Sequence, residues 1–343
     1  MYRAAANMRG GNRLVFLDSL RGVAAIMVAW FHFTQGNAAF LPKGILKTSG
    51  SYGWLGVDMF FVLSGFVLPW SLNRRGYKLR DYGVFVARRM VRLDPPYLAA
   101  ILLTLSLGYI SSLAPGYKGA EFLISWPQVF SHLGFLNACL GYPWLNPVFW
   151  TLAIEFQYYL LIGLALPLLV SPSVLVRSGV NIAFLVAPLV FDSRGFMPHY
   201  ACLFLLGTAT FQHKSEIITR SIYLLTALAS CSVLGFVESV PVAITGVLTA
   251  FAIAFVKIEL SHLSWLGTLS YSLYLLHVPV GGRVINAGTR LPHTLPVQLV
   301  VLAAAMGLSL AAASIFYFLI EKPARDWAAT TYYFDRCRAP AVS

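Results

Sequence analysis

Apolar runs of 14 to 26 residues, parted by short polar segments, recur from one end of the chain to the other. About 20 residues rising ~1.5 Å each cover the ~30 Å of hydrocarbon in a bilayer, so the runs predict membrane-spanning helices. They fall at 14 to 35, 54 to 72, 96 to 114, 149 to 170, 179 to 192, 199 to 213, 221 to 237, 240 to 256, 266 to 282 and 295 to 320. The pattern predicts an all-α, polytopic membrane protein of about ten transmembrane helices with both termini in the cytoplasm. A further stretch, 129 to 141 (VFSHLGFLNACLG), is too short to cross and reads as a re-entrant or interfacial part of an outer loop.

The first run, LVFLDSLRGVAAIMVAWFHFTQ, carries Asp18, Arg21 and His32. At ~100° per residue, Arg21 and His32 lie ~20° apart and Asp18 ~40° to the other side of His32, so the three share one narrow stripe. Arg or Asp near the middle of a spanning helix costs ~2.5 to 3.5 kcal/mol on insertion scales, and such residues face a bundle interior or a wet cavity. The stripe therefore marks this helix as more than an anchor.

Composition agrees: of 343 residues 58% are hydrophobic and 11% charged, with a mean hydropathy of +0.71. The net charge of +12 is explained by topology, because basic residues concentrate in cytoplasmic loops. Eighteen Lys or Arg fall on the expected inner side and six on the outer, with seven of them in NRRGYKLRDYGVFVARRMVR at 73 to 92. No soluble region is large enough to present a basic face, which excludes nucleic acid as a partner. Cys139, Cys202, Cys231 and Cys337 are scattered and imply neither a disulfide framework nor a zinc site. The chain divides into a cytoplasmic tail at 1 to 13, a membrane domain at 14 to 327 and a second tail at 328 to 343. The first run is too long for a removable signal peptide and lacks a small-residue cleavage site. No repeat and no matched pair of broken spans is evident.

With this topology four ionisable groups sit at comparable depth in the outer half of four helices: His32, Asp58 in GWLGVDMFFVLSGF, Glu155 in FWTLAIEFQYYL, and His277 in SYSLYLLHVP. A histidine near a carboxylate is the usual general-base arrangement, since the carboxylate fixes the tautomer and stabilises the imidazolium. His277 precedes Pro279, where the helix is expected to end, so a cap contact competes with a chemical role. No G-x-S-x-G elbow and no HExxH pair occurs, which leaves a serine hydrolase and a zinc protease unsupported. Ser64, beside Gly65, reads chiefly as a helix-packing residue. Arg88, Arg89 and Arg92 are spaced to share a helical face and to clamp phosphates with forked donors, although positive-inside bias explains them equally.

The segments LDSLRGVAAIMVAWFHF, GWLGVDMFFVLSGFVL, ARRMVRLDPPYL, FWTLAIEFQYYL, LSYSLYLLHVPV and FLIEKPARDW, in this order, resemble the acyltransferase-3 family of integral membrane acyltransferases. The resemblance covers Leu14 to Trp327 and implies ten helices and O-acetylation of surface polysaccharides or related glycosides, with an acyl group taken from cytoplasmic acyl-coenzyme A. It implies that the family's essential first-helix Arg and His are Arg21 and His32, that its paired loop arginines are Arg89 and Arg92, and that its conserved Glu is Glu155. Leu93-Asp94-Pro95 departs from the family's apolar or aromatic residue before the proline. The hydrolase-like C-terminal module of some members is not expected here.

The resulting expectation is an O-acetyltransferase of the inner (plasma) membrane. Arg21, Arg89 and Arg92 would bind acyl-coenzyme A (acetyl by resemblance), and His32, oriented by Asp58 or Glu155, would deprotonate a hydroxyl of a carbohydrate acceptor. No metal is expected. A covalent acyl-His32 route is a variant. A proton-coupled transporter, which would also place His and carboxylates at depth, is the alternative.

Overall fold

The computed structural model describes residues 10–115, 122–256 and 263–330. The flanking tails, with Arg3, Arg9, Arg336, Cys337 and Arg338, lie outside the described residues, as do the segments holding Tyr117, Lys118 and Lys257. The helices are α1 (Gly10–Gln35), α2 (Ile45–Ser49), α3 (Gly56–Arg74), α4 (Tyr82–Ser112), α5 (Trp126–Ser131), α6 (Asn137–Leu140), α7 (Phe149–Leu169), α8 (Val174–Val190), α9 (Ala201–Lys214), α10 (Arg220–Val237), α11 (Val240–Phe255), α12 (Ser264–Leu276), α13 (Gly282–Gly288), α14 (Leu295–Phe316) and α15 (Lys322–Thr330). There is no strand among the described residues.

Six helical segments are long and apolar enough to cross a membrane: Val15–Gln35, Ile45–Arg74, Leu79–Ser112, Phe149–Leu169, Arg220–Val237 and Leu295–Thr330. Two more, α8 and α11, are apolar but shorter. This is a multi-pass membrane protein, in which spanning helices satisfy their own backbone groups in lipid. Helix α9, with 14 residues, falls short of that length, and every residue from Ala201 to Gln212 is buried in protein.

Two local expectations are corrected. The basic stretch at 73 to 92 is not a loop throughout, because α4 starts at Tyr82 and carries Arg88, Arg89 and Arg92 as helical residues. It runs unbroken through Pro95 and Pro96, each of which removes only one ladder donor. The helix holding His277 does not end before Pro279: α12 passes through a π turn, His277–Gly281, into α13. The wider turn accommodates a residue that has no N–H to donate, so the cap role foreseen for His277 does not arise. The 129 to 141 stretch folds as α5, a 3₁₀ turn at His132–Gly134, and α6.

The described residues form two compact units. The first comprises those of Met1–Val28, Tyr52–Asp81 and Ile154–Ser270. Its centre is the crossing of α3 and α9, which only glycine permits. A Cβ on Gly65 would lie 2.3 Å from the Phe204 carbonyl oxygen, and one on Gly207 would lie 2.1 Å from that of Val62. Two buried polar bonds tie the neighbouring helices: the Gln212 side chain donates to the Leu169 carbonyl at 2.9 Å, and the Tyr158 and Thr208 hydroxyls meet at 3.2 Å.

The second unit comprises those of Ala29–Ser51, Tyr82–Ala153 and Tyr271–Ser343. Its apolar core gathers Ala29, Phe33, Phe40, Leu41, Ile285, Val301, Leu302 and Ala305. A second π turn, Tyr317–Glu321, interrupts the helix after α14. It brings the Glu321 carboxylate to the Ser272 hydroxyl at 2.5 Å and to the Ser272 amide at 3.2 Å. Charge-assisted bonds of this kind satisfy an otherwise costly buried carboxylate.

Candidate functional site

Helix α1 positions the two residues on which the sequence places most weight. Eleven residues apart, Arg21 and His32 are separated by ~16 Å along the axis and lie ~20° apart around it. Both are half-buried. The Arg21 Nε is buried and has no hydrogen-bond partner among the described residues. A guanidinium at membrane depth retains such a free donor at a cost, so this atom is suited to an external acceptor.

In the second unit His32 lies against His277, with ring centroids 5.2 Å apart and planes tilted by 47°. His277 is fully buried; its Nδ1 lies 3.0 Å from the Leu273 carbonyl oxygen, while its Nε2 has no partner among the described residues. Phe33 approaches the same ring edge-on at 6.2 Å. The π turn thus makes His277 a neighbour of the histidine that the sequence singles out.

In the first unit Glu155 accepts a hydrogen bond from the Ser64 hydroxyl at 2.5 Å. The packing role expected of Ser64 falls to Gly65 instead, and the serine is the carboxylate's partner. Asp58, in the first turn of α3, is 6% exposed, and its Oδ2 has no partner among the described residues. Glu238 and Tyr200 are near enough to interact with it electrostatically.

Glu238 belongs to a cluster that the sequence reading missed. It caps the end of α10 and binds the buried His199 at 2.5 Å and the exposed Arg194 at 3.2 Å. The available signal was the scarcity of acidic residues, 13 in all, which makes one set between two apolar helices conspicuous.

On α4, Arg88, Arg89 and Arg92 are all half-buried, and the Arg89 guanidinium sits 5.7 Å from the centre of the Phe85 ring. Such a cation–ring contact leaves the planar fork suited to phosphate oxygens. Two turns on, buried Tyr97 stacks on Phe135 at 4.8 Å, and so reaches the 126–148 segment of the same unit.

That segment is pinned by His132, also absent from the sequence-based candidates. The Gln128 carbonyl lies 2.7 Å from its Nδ1, and the Leu145 amide donates to its Nε2 at 3.2 Å. One neutral tautomer satisfies both. Burial lowers the pKa of His132, and the bond to Gln128 only partly opposes that shift. No group of three or more His, Cys, Asp or Glu able to hold a metal occurs among the described residues.

The site so described can be set beside known proteins. An O-acetyltransferase OatA of Staphylococcus aureus (strain NCTC 8325 / PS 47) is 33% identical over 162 residues, which are 45% of this chain and 24% of that protein. The peptidoglycan O-acetyltransferase OatA of Listeria monocytogenes is 25% identical over 320 residues, covering 77% of this chain and 49% of its own length. A putative acetyltransferase, ORF330, of Acidianus two-tailed virus is 31% identical over 150 residues, 43% of this chain and 39% of that protein. The chain thus spans at most about half the length of these relatives. No solved structure matches it. The family model for the acyltransferase domain matches residues 14–318, a region that holds every candidate residue above, and the chain belongs to the acyltransferase-3 family.

Proposed function

We propose that this protein is an O-acyltransferase of the plasma membrane that moves an acyl group, acetyl in the first instance, from acyl-coenzyme A on the cytoplasmic side to a hydroxyl of a glycan at the outer face. The observation that carries the reading is the polar stripe of α1, where Arg21 keeps a buried donor without a partner among the described residues and His32 lies about 16 Å further along. A donor bound by its phosphates at one end and reacting at the other needs such a spacing. Glycan O-acetylation is in keeping with the relatives, one of which is named for peptidoglycan.

The roles follow from chemistry. Arg21, Arg89 and Arg92 bind phosphate oxygens, which forked guanidinium donors match in geometry and charge. His32, neutral and half-buried, takes the proton of the acceptor hydroxyl as its oxygen attacks the acyl carbonyl. The thioester C–S bond breaks, and His32 returns the proton to the departing thiolate, so no net charge remains in the membrane. Asp58, with an oxygen unpartnered among the described residues, and Glu155, steadied by Ser64, are assigned to hold hydroxyls of the acceptor.

The test uses purified protein in proteoliposomes, with radiolabelled acetyl-coenzyme A on one side and cell-wall glycan fragments on the other. Labelled glycan is expected with the wild type and not with His32→Ala or Arg21→Ala. Wild-type transfer by both variants would overturn the assignment.

A further inference from the structure

We infer that His277 fixes the tautomer of His32 by accepting a hydrogen bond from it, so that the catalytic base is oriented by a second neutral histidine. The inference rests on His32 being the base. It begins from His277, whose Nδ1 faces the Leu273 carbonyl at 3.0 Å. A carbonyl oxygen only accepts, so Nδ1 carries the hydrogen and Nε2 presents a lone pair. That lone pair is fully buried and unpartnered among the described residues. A buried acceptor of this kind is costly unless a donor reaches it.

The ring beside it is His32, with 5.2 Å between centroids. Two imidazoles joined by a linear N–H···N bond of about 2.9 Å have centres roughly 5.2 Å apart, since each nitrogen lies about 1.15 Å from its ring centre. The separation already suits the bond. The 47° tilt between the planes does not oppose it, because a twist about the N–H···N axis leaves the bond linear, and a turn about the broad ring torsion of His32 brings a nitrogen to face Nε2. Motion of His277 itself is restricted, because a Cβ at Gly281 of its π turn would lie 2.4 Å from Phe33 and 2.6 Å from the Ser309 hydroxyl, so the turn is closely held by both. With one nitrogen of His32 donating to His277, the other bears the lone pair that takes the acceptor's proton. His277 is thus a positioning residue that touches neither substrate.

The test compares His277→Phe, which keeps a flat ring and loses the acceptor, with His277→Gln, which loses the ring and keeps one. With acetyl-coenzyme A and glycan fragments, His277→Phe is expected to lower kcat at least about tenfold with KM unchanged, and His277→Gln to stay within about threefold of wild type. Wild-type kcat in His277→Phe while His32→Ala is inactive, or Gln as slow as Phe, would overturn the inference. Wild-type transfer by His32→Ala would instead refute the reading beneath it, and the inference with it. A measurement on the unmutated protein guards against misfolded variants: in solid-state NMR of ¹⁵N-histidine-labelled enzyme, a bare, hydrogen-bonded Nε2 on His277 is expected, and a protonated one rules the inference out.

Discussion

The Ser64 hydroxyl and the Glu155 carboxylate, 91 positions apart in the chain, meet at 2.5 Å between α3 and α7. A hydrogen bond to a charged group contributes about 1.5–3 kcal/mol, and its loss leaves the carboxylate to turn elsewhere. If Glu155 acts in transfer, Ser64→Ala should lower kcat about tenfold, which corresponds to about 1.4 kcal/mol, and Ser64→Thr should restore most of it. Steady-state transfer rates for the two variants at equal folded protein check this.

The crossing of α3 and α9 leaves no space for a side chain at Gly207, where the obstructing atoms are backbone. Gly207→Ala should therefore destabilise the protein by about 1–3 kcal/mol or more. Gly235→Ala is the control: nothing lies within 4 Å of its added Cβ, and alanine is favoured over glycine in a helix by about 0.5–1 kcal/mol. Thermal unfolding in detergent, followed by size-exclusion chromatography, should move in opposite directions for the two.

The His199 and Glu238 side chains, 1% and 12% exposed, are a buried pair, and removing one partner strands the other. Glu238→Ala and His199→Ala should each cost about 3 kcal/mol, with the double variant little worse than either. Arg194, 71% exposed, should matter much less, because exposed ion pairs contribute about 0–1 kcal/mol. A double-mutant cycle on unfolding midpoints measures the coupling.

His132 gives the 126–148 segment a pH dependence with a definite sign. Burial keeps its folded pKa below the ordinary value, so at intermediate pH the unfolded segment binds a proton that the folded one refuses. Local stability should be constant above about pH 6.5 and fall as pH drops below it. Limited proteolysis between residues 126 and 148 should accelerate over that range, and His132→Gln should weaken the dependence.

The long helices were legible because hydrophobicity over some twenty residues is a strong signal, and the stripe of Asp18, Arg21 and His32 needed only helical periodicity to be seen. Pairings across the chain were not. Nothing local in FWTLAIEFQYYL says that Glu155 is met by Ser64, nor in SYSLYLLHVP that His277 is met by His32; these depend on which helices become neighbours. The continuation of the helix past Pro279 escaped the pattern for a different reason. A proline is ordinarily a stop signal, and a π turn has no compositional mark with which to contradict it. Glu238 and His132 were passed over because each lies between spans, where polar residues are unremarkable.

The two π turns, His277–Gly281 and Tyr317–Glu321, set a requirement on chain length as well as on residue type. Each amounts to one residue inserted into an otherwise regular helix, and shifts all that follows by about 100° around the axis. Deleting a single residue from either turn would restore an ordinary helix while swinging its downstream face out of phase; in the first turn, Arg283 would thereby lose the α4 carbonyl and hydroxyl it now reaches at 3.2 and 3.1 Å. In these two short windows the spacing of residues is therefore as strictly constrained as their identity, and substitutions will be accepted where shortening is not.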